Sequence, residues 1–266
     1  SSTTVTVANV VPLVSVGAPV LDPGPIVPWV VFELTADFDD PGVLDPHTVV
    51  IDWGDGSSPT PVAWVPDGNG GGSIGPLDHH DDEPGVYAVS VSVTDDDGVG
   101  VGTVEVIVVS AGDALELAAA VLEELATERW SRPTDRDIRS ALRHLVSGGD
   151  AGAIDRLAEG DVVAAATKTE QAVADLLRAY HRTGDTRFLE VVDRIAVAVE
   201  SIAGGLLFAA SERSPDDPKL GEVEALLASA RELVVAGDRA AAMATFVDAI
   251  RLANGVTVPI ENSGIS

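Results

Sequence analysis

The feature that most constrains this chain is a change in the spacing of its apolar residues near residue 111. Before that point apolar and polar residues alternate with period two, as at Val104, Val106 and Val108. After it, apolar residues recur with a period of 3.6, and Ala, Leu, Glu and Arg dominate. The first pattern is typical of antiparallel strands and the second of amphipathic helices. The sequence therefore predicts a multidomain β + α chain, with an antiparallel β-sandwich followed by an all-α bundle.

The second half carries boundary signals for about six to seven helices. Glycines such as Gly184 are expected to end helices, and aspartates that follow them, such as Asp161 and Asp238, to cap the next ones. Thr134 with Asp137 resembles a capping box. The predicted helices cover residues 113–129, 134–147, 150–159, 161–183, 185–213, 217–236 and 238–253. The glycine pair at 204–205 is expected to kink or split the longest of them.

The charge of the chain restricts its partners. Its 266 residues are enough for two domains, and they carry a net charge of −27. Residues 1–112 contain 17 acidic residues and no Lys or Arg. Such a surface repels nucleic acid and anionic lipid and attracts divalent cations. No apolar run is long enough to span a membrane, and without cysteine neither a disulfide nor a thiolate metal site can form.

Several short motifs occur in a characteristic order along the first half. They are Asn-Val-Val-Pro at 9–12, Phe-Asp-Asp-Pro-Gly at 38–42, Ile-Asp-Trp-Gly-Asp-Gly-Ser at 51–57, Glu-Pro-Gly-Val-Tyr at 83–87 and Thr-Asp-Asp-Asp-Gly at 94–98. Together they resemble a polycystic kidney disease (PKD) domain over about residues 9–110. The resemblance implies an immunoglobulin-like β-sandwich of the kind found in extracellular proteins of bacteria and archaea.

The resemblance and the periodicity together give a domain plan. We expect an N-terminal strand or extension at 1–8, the PKD-like sandwich at 9–111, the helical bundle at 112–255 and a tail at 256–266. The bundle itself resembles no family that we recognise. The two domains are expected to join near Ala111 to Asp113 and to be separable there.

PKD modules usually space, bind and assemble other proteins, so the resemblance implies a non-catalytic structural or interaction protein of the cell exterior. A cell-surface or filament subunit fits this expectation. The alternative is an accessory region of a secreted hydrolase that positions a catalytic domain on a polymer. The sequence contains no His-Glu-x-x-His motif, no cysteine and five scattered histidines, so we expect no enzyme.

Acidic residues of two loops are expected to meet at one end of the sandwich, because loops of an immunoglobulin-like fold alternate between its two ends. These residues are Asp39, Asp40, Asp45, Asp95, Asp96 and Asp97. Calcium takes 6–8 oxygen ligands, and some relatives of PKD domains bind it, so calcium is the one cofactor that the sequence suggests. The alternative is a pair of ordinary solvated turns.

Two further segments of the first half are expected to be loops. Residues 67–76 are too rich in glycine to favour a strand. His79 and His80 are adjacent, so on a strand they would point to opposite faces and could not ligate one metal ion together. We expect both in a solvated loop; a loop metal site with Asp78, Asp81 and Asp82 is the alternative.

The two ends of the chain resemble unpaired strands. Alternating residues at each end would present one apolar or β-branched face, namely Thr3, Val5 and Val7 at the start and Val256, Val258 and Ile260 at the end. An unpaired strand seeks a sheet edge, which predicts strand addition and head-to-tail self-association. The alternatives are that residues 3–8 lengthen the first strand of their own domain, or that the chain is a fragment of a longer array.

Overall fold

The computed structural model describes residues 10–21, 24–42, 45–96, 98–146 and 151–257. The chain forms two compact units. The first contains the described residues up to Leu21 and those of Val31–Val108; the second contains the described residues of Asp22–Val30 and those from Val109 onward. The first unit consists of strands and the second of helices, which confirms the predicted order of β and then α structure.

The first unit contains two antiparallel sheets of four strands each. Its strands are β1 (Leu13–Val16), β2 (Phe32–Asp39), β3 (Thr48–Asp52), β4 (Thr60–Val62), β5 (Trp64–Pro66), β6 (Gly72–His79), β7 (Gly85–Thr94) and β8 (Val99–Val108). Their order is β1-β2-β6-β5 in one sheet and β4-β3-β7-β8 in the other. The longest pairing joins β7 to β8 over ten residues, from Gly85 opposite Val108 to Thr94 opposite Val99.

Strict alternation along the strands builds the core of this unit. In β2 every second residue is buried, beginning with Phe32 and ending with Phe38. In the other sheet, Val89, Val91 and Val93 of β7 are buried in the same alternating pattern. Since side chains alternate across a strand, each sheet turns one apolar face inward and one face to solvent.

The glycine-rich segment at 67–76 forms part of a strand, so the prediction that all of it is a loop is wrong. Residues from Gly72 onward form β6, which pairs with both β2 and β5. A Cβ atom at Gly72 would lie 2.6 Å from the Trp64 ring, so glycine lets that ring lie against the strand. Close packing against an aromatic ring, and not strand propensity, thus explains a glycine at this position.

The second unit contains seven helices within its described residues. They are α1 (Ala111–Ala126), α2 (Arg132–Leu145), α3 (Ala153–Ala158), α4 (Val162–Thr183), α5 (Arg187–Arg213), α6 (Lys219–Val235) and α7 (Arg239–Thr257). Each matches one predicted helix to within a few residues, which confirms their number. Leu115, Leu122, Phe188, Ile195 and Phe246 are among the side chains fully buried between the helices. None of the described helices combines the length and apolar character needed to cross a bilayer.

Capping agrees with the sequence prediction at some boundaries and not at others. Asp161 and Asp238 each accept a backbone N–H bond in the first turn of the helix that follows. Gly184 ends α4 with a left-handed backbone, φ 72°. The capping box predicted at Thr134 is wrong, because α2 begins earlier, at the N-cap Ser131, and places Thr134 inside the helix as a buried residue.

Residues 24–30, which sequence analysis assigned to the sandwich, belong to the helical unit. Trp29 stacks on Phe208 of α5, with ring centroids 4.7 Å apart. A Cβ atom at Gly204 would lie only 2.5 Å from the Trp29 Cβ. The glycine pair at 204–205 therefore makes room for this tryptophan, and it does not split α5, which runs unbroken from Arg187 to Arg213.

Val256 lies in the last turn of α7, so the prediction that an extended tail begins there is wrong. Its side chain is buried in a small cluster with Leu207, Ala210 and Leu220. Burial of this valine against α5 and α6 extends the helix beyond the end expected from periodicity. A side chain buried in this way is not free to add to the edge of another sheet.

Candidate functional site

The strand unit holds one group of titratable side chains at each end of β3. At the first end, the structure brings together Asp40, His47 and Asp95, whose ligand atoms all lie within 4.8 Å of one another. His47 Nε2 lies 2.5 Å from Asp40 Oδ2, and the Gly42 N–H donates to Asp40 Oδ1. Both side chains of this pair are almost fully buried. We call this group the His47 cluster.

The predicted acidic residues fall unevenly around the His47 cluster. Asp40 and Asp95 are members, whereas Asp39 occupies the exposed face of β2 and is not part of the group. Asp45 lies beside it: burial raises the pKa of its carboxyl, and the neighbouring Asp96, Asp40 and Asp95 raise it further. Asp97 lies outside the described residues.

Hydrogen bonding explains the ionisation of Asp40. Its burial would raise the pKa of the carboxyl, but the bonds from Gly42 and His47 outweigh burial and hold this pKa below its ordinary value. His47 also contacts the rings of Phe38 and Trp64, with centroids 5.0 and 5.6 Å away. Sequence reasoning missed His47 as a partner of the aspartates, although it stands in the same loop as Asp45.

The His47 cluster fits calcium only in part. Gly42 and His47 already engage both carboxylate oxygens of Asp40. Among the described acidic residues beside it, Asp45, Asp95 and Asp96 remain, and with one oxygen from each they supply fewer than the 6–8 oxygens that calcium takes. A calcium site here stays a prediction, and we expect weak binding of the millimolar class.

Calcium at this end is expected to raise the melting temperature of the strand unit slightly, because a cation relieves the repulsion among these carboxylates. When the free ion concentration is ten times the Kd, an ion that binds only the folded state raises the free energy of unfolding by about 1.4 kcal/mol. Thermal unfolding in calcium and in chelator measures the difference. The difference in melting temperature should disappear in a double variant Asp45→Asn with Asp96→Asn. If the wild type melts at the same temperature in calcium and in chelator, the two loops are ordinary turns that bind no calcium.

At the opposite end of β3, a second group consists of Asp55, His79 and Asp81, which we call the His79 cluster. Asp55 belongs to the turn after β3, His79 ends β6, and Asp81 lies in the loop that leads to β7. His79 Nε2 lies 3.3 Å from Asp55 Oδ2 and 3.7 Å from Asp81 Oδ1. The turn and the loop thus bring two carboxylates to one ring nitrogen.

Aromatic packing fixes the ring of His79. It stacks on Trp53 with centroids 4.0 Å apart and planes within 4° of parallel, and it meets the edge of Phe32. The prediction that His79 lies in a solvated loop is therefore wrong, since its side chain is only 16% exposed. His80 comes directly after the end of β6, and its side chain is 48% exposed.

The electrostatics of the His79 cluster differ from one member to the next. Burial raises the pKa of Asp81 to about 6, and the charges of Asp55 and Asp82 act in the same direction. Burial would also raise the pKa of Asp55, but hydrogen bonds from Ser57 and electrostatic attraction to His79 hold this pKa below its ordinary value. Burial lowers the pKa of His79. Near neutral pH the cluster is thus a neutral imidazole between two carboxylates.

Part of the His79 cluster could be foreseen from the sequence. Sequence analysis weighed a loop metal site with Asp78, Asp81 and Asp82 around the histidines but did not include Asp55, which is 24 positions before His79. The pairing of β3 with β7 places the turn of Asp55 beside the loop of Asp81, and the contact of His79 with Trp53 brings the end of β6, in the other sheet, to the same place. The Gly-Asp-Gly turn was the sequence feature that could have marked Asp55 as a candidate member of the cluster.

Two other candidates carry no site. Residues 71–75 spell Gly-x-Ser-x-Gly, which sequence analysis overlooked. Ser73, however, is the second residue of β6, paired with Asp37, and does not lie on a strand-to-helix elbow. Of the residues predicted to add as strands, all except Val256 lie outside the described residues, namely Thr3, Val5, Val7, Val258 and Ile260. Strand addition by these residues stays a prediction.

Comparison of the chain with protein-family models and with curated proteins found no match.

Proposed function

We propose that this chain is a non-catalytic structural protein of the cell exterior, in which an immunoglobulin-like sandwich of PKD type mediates contacts between protein molecules. The observation that carries the proposal is an exposed, nearly uncharged face on strands β7 and β8. The extracellular location follows from the PKD resemblance. Self-association is the contact that we propose for this face.

Strand order supports the immunoglobulin-like part of the proposal. With strands lettered A, B, C, C′, D, E, F and G along the chain, the two sheets have the orders A-B-E-D and C′-C-F-G. Immunoglobulin-like sandwiches combine an ABED sheet with a sheet built on CFG. Tyr87, near the start of the F strand, donates its hydroxyl to the carbonyl oxygen of Glu83, as the tyrosine corner of this fold does.

The exposed face is formed by outward-pointing residues of β7 and β8. Four large aliphatic side chains on it are more than half exposed: Val86 (65%), Val99 (52%), Val101 (57%) and Ile107 (60%). Val86 lies directly opposite Ile107, while Val101 and Val99 lie opposite Ser92 and Thr94. We call this surface the valine face. The four side chains form two pairs, Val86 with Ile107 near one end of the ladder and Val99 with Val101 near the other. Exposed apolar side chains that share one face of a sheet are typical of protein interaction sites.

The outer face of the other sheet provides the contrast. There β2 turns Glu33, Asp37 and Asp39 to solvent. Along the valine face, β7 and β8 contribute one charged residue, Glu105. A protein whose net charge is −27 remains soluble through repulsion, so a face depleted of charge is where two copies can approach.

Self-association through the valine face is expected to strengthen as salt is raised, because salt screens the repulsion between two acidic chains. Sedimentation velocity over a range of protein and salt concentrations measures it. We expect the wild type to form dimers or larger species at high concentration. A triple variant Val99→Ser, Val101→Ser and Ile107→Thr should remain monomeric, since it removes apolar area from the contact.

Val65→Ser is the matched control. This valine is also 65% exposed, but it lies on β5 of the other sheet. The control variant should associate as the wild type does. A wild type that stays monomeric at all concentrations and salts, or a triple variant that associates equally well, would contradict the proposal.

A further inference from the structure

We propose that the His79 cluster, formed by Asp55, His79 and Asp81, binds one divalent transition-metal ion of the zinc type. This site is independent of the valine face and of the proposed function. Its ligands would be one imidazole nitrogen and one oxygen from each carboxylate.

The separations between the ligand atoms suit such an ion. Zinc holds nitrogen and oxygen ligands at about 2.0–2.1 Å in a tetrahedral arrangement, which places neighbouring ligand atoms about 3.3 Å apart. His79 Nε2 lies 3.3 Å from Asp55 Oδ2 and 3.7 Å from Asp81 Oδ1. Two of the three separations are therefore close to those of a tetrahedral site, and the third, between Asp55 and Asp81, is no longer than 4.8 Å.

The strongest sign of a ligand is the state of Asp81. The residue is only 3% exposed, yet neither of its carboxylate oxygens has a hydrogen-bond partner among the described residues. Nε2 of His79 also makes no hydrogen bond there. Buried carboxylates are normally hydrogen-bonded, paired or bound to metal. A cation between Asp81 and His79 would satisfy both groups at once.

The surroundings hold two of the ligands in place. Stacking on Trp53 and the edge of Phe32 restricts the His79 ring and directs Nε2 toward the carboxylates. The backbone N–H of Ser57 donates to Asp55 Oδ1, at 2.8 Å, and leaves Oδ2 facing His79. Such supporting contacts orient ligands in metal sites, and they limit the ordering that binding must produce.

The donor set favours a transition ion over calcium or magnesium. An imidazole nitrogen with two carboxylates suits zinc and its neighbours in the periodic table, whereas calcium and magnesium prefer oxygen alone. A polar cavity of about 370 Å³ beside the cluster is lined by Asp55, His80, Asp82, Glu83 and Tyr87. It can supply a water molecule as the fourth ligand.

Calorimetric titration of the whole chain with zinc chloride tests the proposal, in physiological salt with excess magnesium to occupy weak acidic sites. The wild type is expected to bind one ion with micromolar affinity. Asp81→Asn and His79→Phe should each weaken binding at least tenfold. Phenylalanine retains the stacking on Trp53 while it removes the ligand nitrogen, and Asp81→Asn keeps the shape of the side chain.

Asp82→Asn is the matched control, because it makes the same change at the adjacent, exposed residue, and it should bind zinc within threefold of the wild type. Asp95→Asn controls for the His47 cluster and should behave likewise. Circular dichroism verifies folding of each variant. The proposal is overturned if the wild type binds no zinc under these conditions, if Asp81→Asn binds as tightly as the wild type, or if Asp95→Asn alone abolishes binding.

Discussion

Replacing Gly204 by alanine is expected to destabilise the helical unit by about 2 kcal/mol, although alanine is the better helix former. The new Cβ would lie 2.5 Å from Cβ and 3.1 Å from Cγ of Trp29. Those atoms are near the backbone of residue 29, so they cannot move aside as the end of a flexible side chain could. Denaturant unfolding, monitored by the helical circular dichroism signal, measures the decrease in the free energy of unfolding.

Gly221→Ala is the matched control for this effect. Gly221 also lies inside a helix, α6, but a Cβ atom there would meet nothing within 4 Å. Its replacement should stabilise the helical unit by up to about 1 kcal/mol through helix propensity alone. Equal effects at Gly204 and Gly221 would contradict the packing of Trp29 on α5.

A double-mutant cycle isolates the contact. Trp29→Gly removes the indole ring and the Cβ together, and glycine accepts the backbone of residue 29, whose φ is 66°. In that background Gly204→Ala should become neutral or stabilising. If Gly204→Ala lowers the stability equally with and without Trp29, the contact between residues 29 and 204 is not the cause of the destabilisation.

Asp81→Asn is expected to stabilise the strand unit by about 2 to 3 kcal/mol near pH 8 when metal ions are removed by chelator. The pKa of Asp81 is about 6 in the folded chain against an ordinary 3.8. Each unit of pKa difference is worth about 1.36 kcal/mol. Ionising this carboxyl therefore costs the folded state more than the unfolded state, and a neutral amide of the same shape avoids that cost.

The sign of the pH dependence follows from the raised pKa of Asp81. Above pH 6 this carboxyl is ionised in both states and its full destabilising effect is present. As the pH falls from 6 toward 3.8, the folded state takes up its proton first, so the wild type gains stability and approaches the variant. Thermal unfolding of both proteins across this range measures the convergence.

Asp82→Asn serves as the control here too, since this carboxylate is 59% exposed and should change stability little at any pH. An Asp81→Asn variant that is less stable than the wild type in chelator at alkaline pH would mean that the carboxylate has a favourable partner. The difference in stability between the Asp81→Asn variant and the wild type should also narrow when zinc is added, because zinc stabilises only the chain with its ligand intact.

Local sequence patterns were sufficient for most of the secondary structure. The seven helices of the described residues follow from apolar residues with a period of 3.6, and helix ends such as Gly184 follow from glycine's access to left-handed backbone. β2 and β7 follow from strict alternation. These signals involve residues only a few positions apart, so they can be recognised in the sequence without knowledge of the fold.

The same local reasoning failed where a distant side chain decided the outcome. Gly72 lies in a strand because the Trp64 ring packs against it, and Gly204 lies in an unbroken helix because Trp29 occupies the space above it. Val256 is helical because it is buried against α5 and α6. In each case a tertiary contact outweighs a local propensity of about 1 kcal/mol.

The sequence by itself determined that strands precede helices, that the strand half is acidic, and that several of its aspartates, such as Asp55 and Asp95, occur in turns. Only the tertiary structure decided which titratable groups meet. Asp40 joins His47 and Asp95 at one end of β3, and Asp55 joins His79 and Asp81 at the other. The physical reason is that the pairing of β3 with β7 places residues far apart in the chain side by side. Asp40 and His79 come from the ends of β2 and β6 in the other sheet, and packing between the two sheets, as at Trp53 and His79, brings them to these groups.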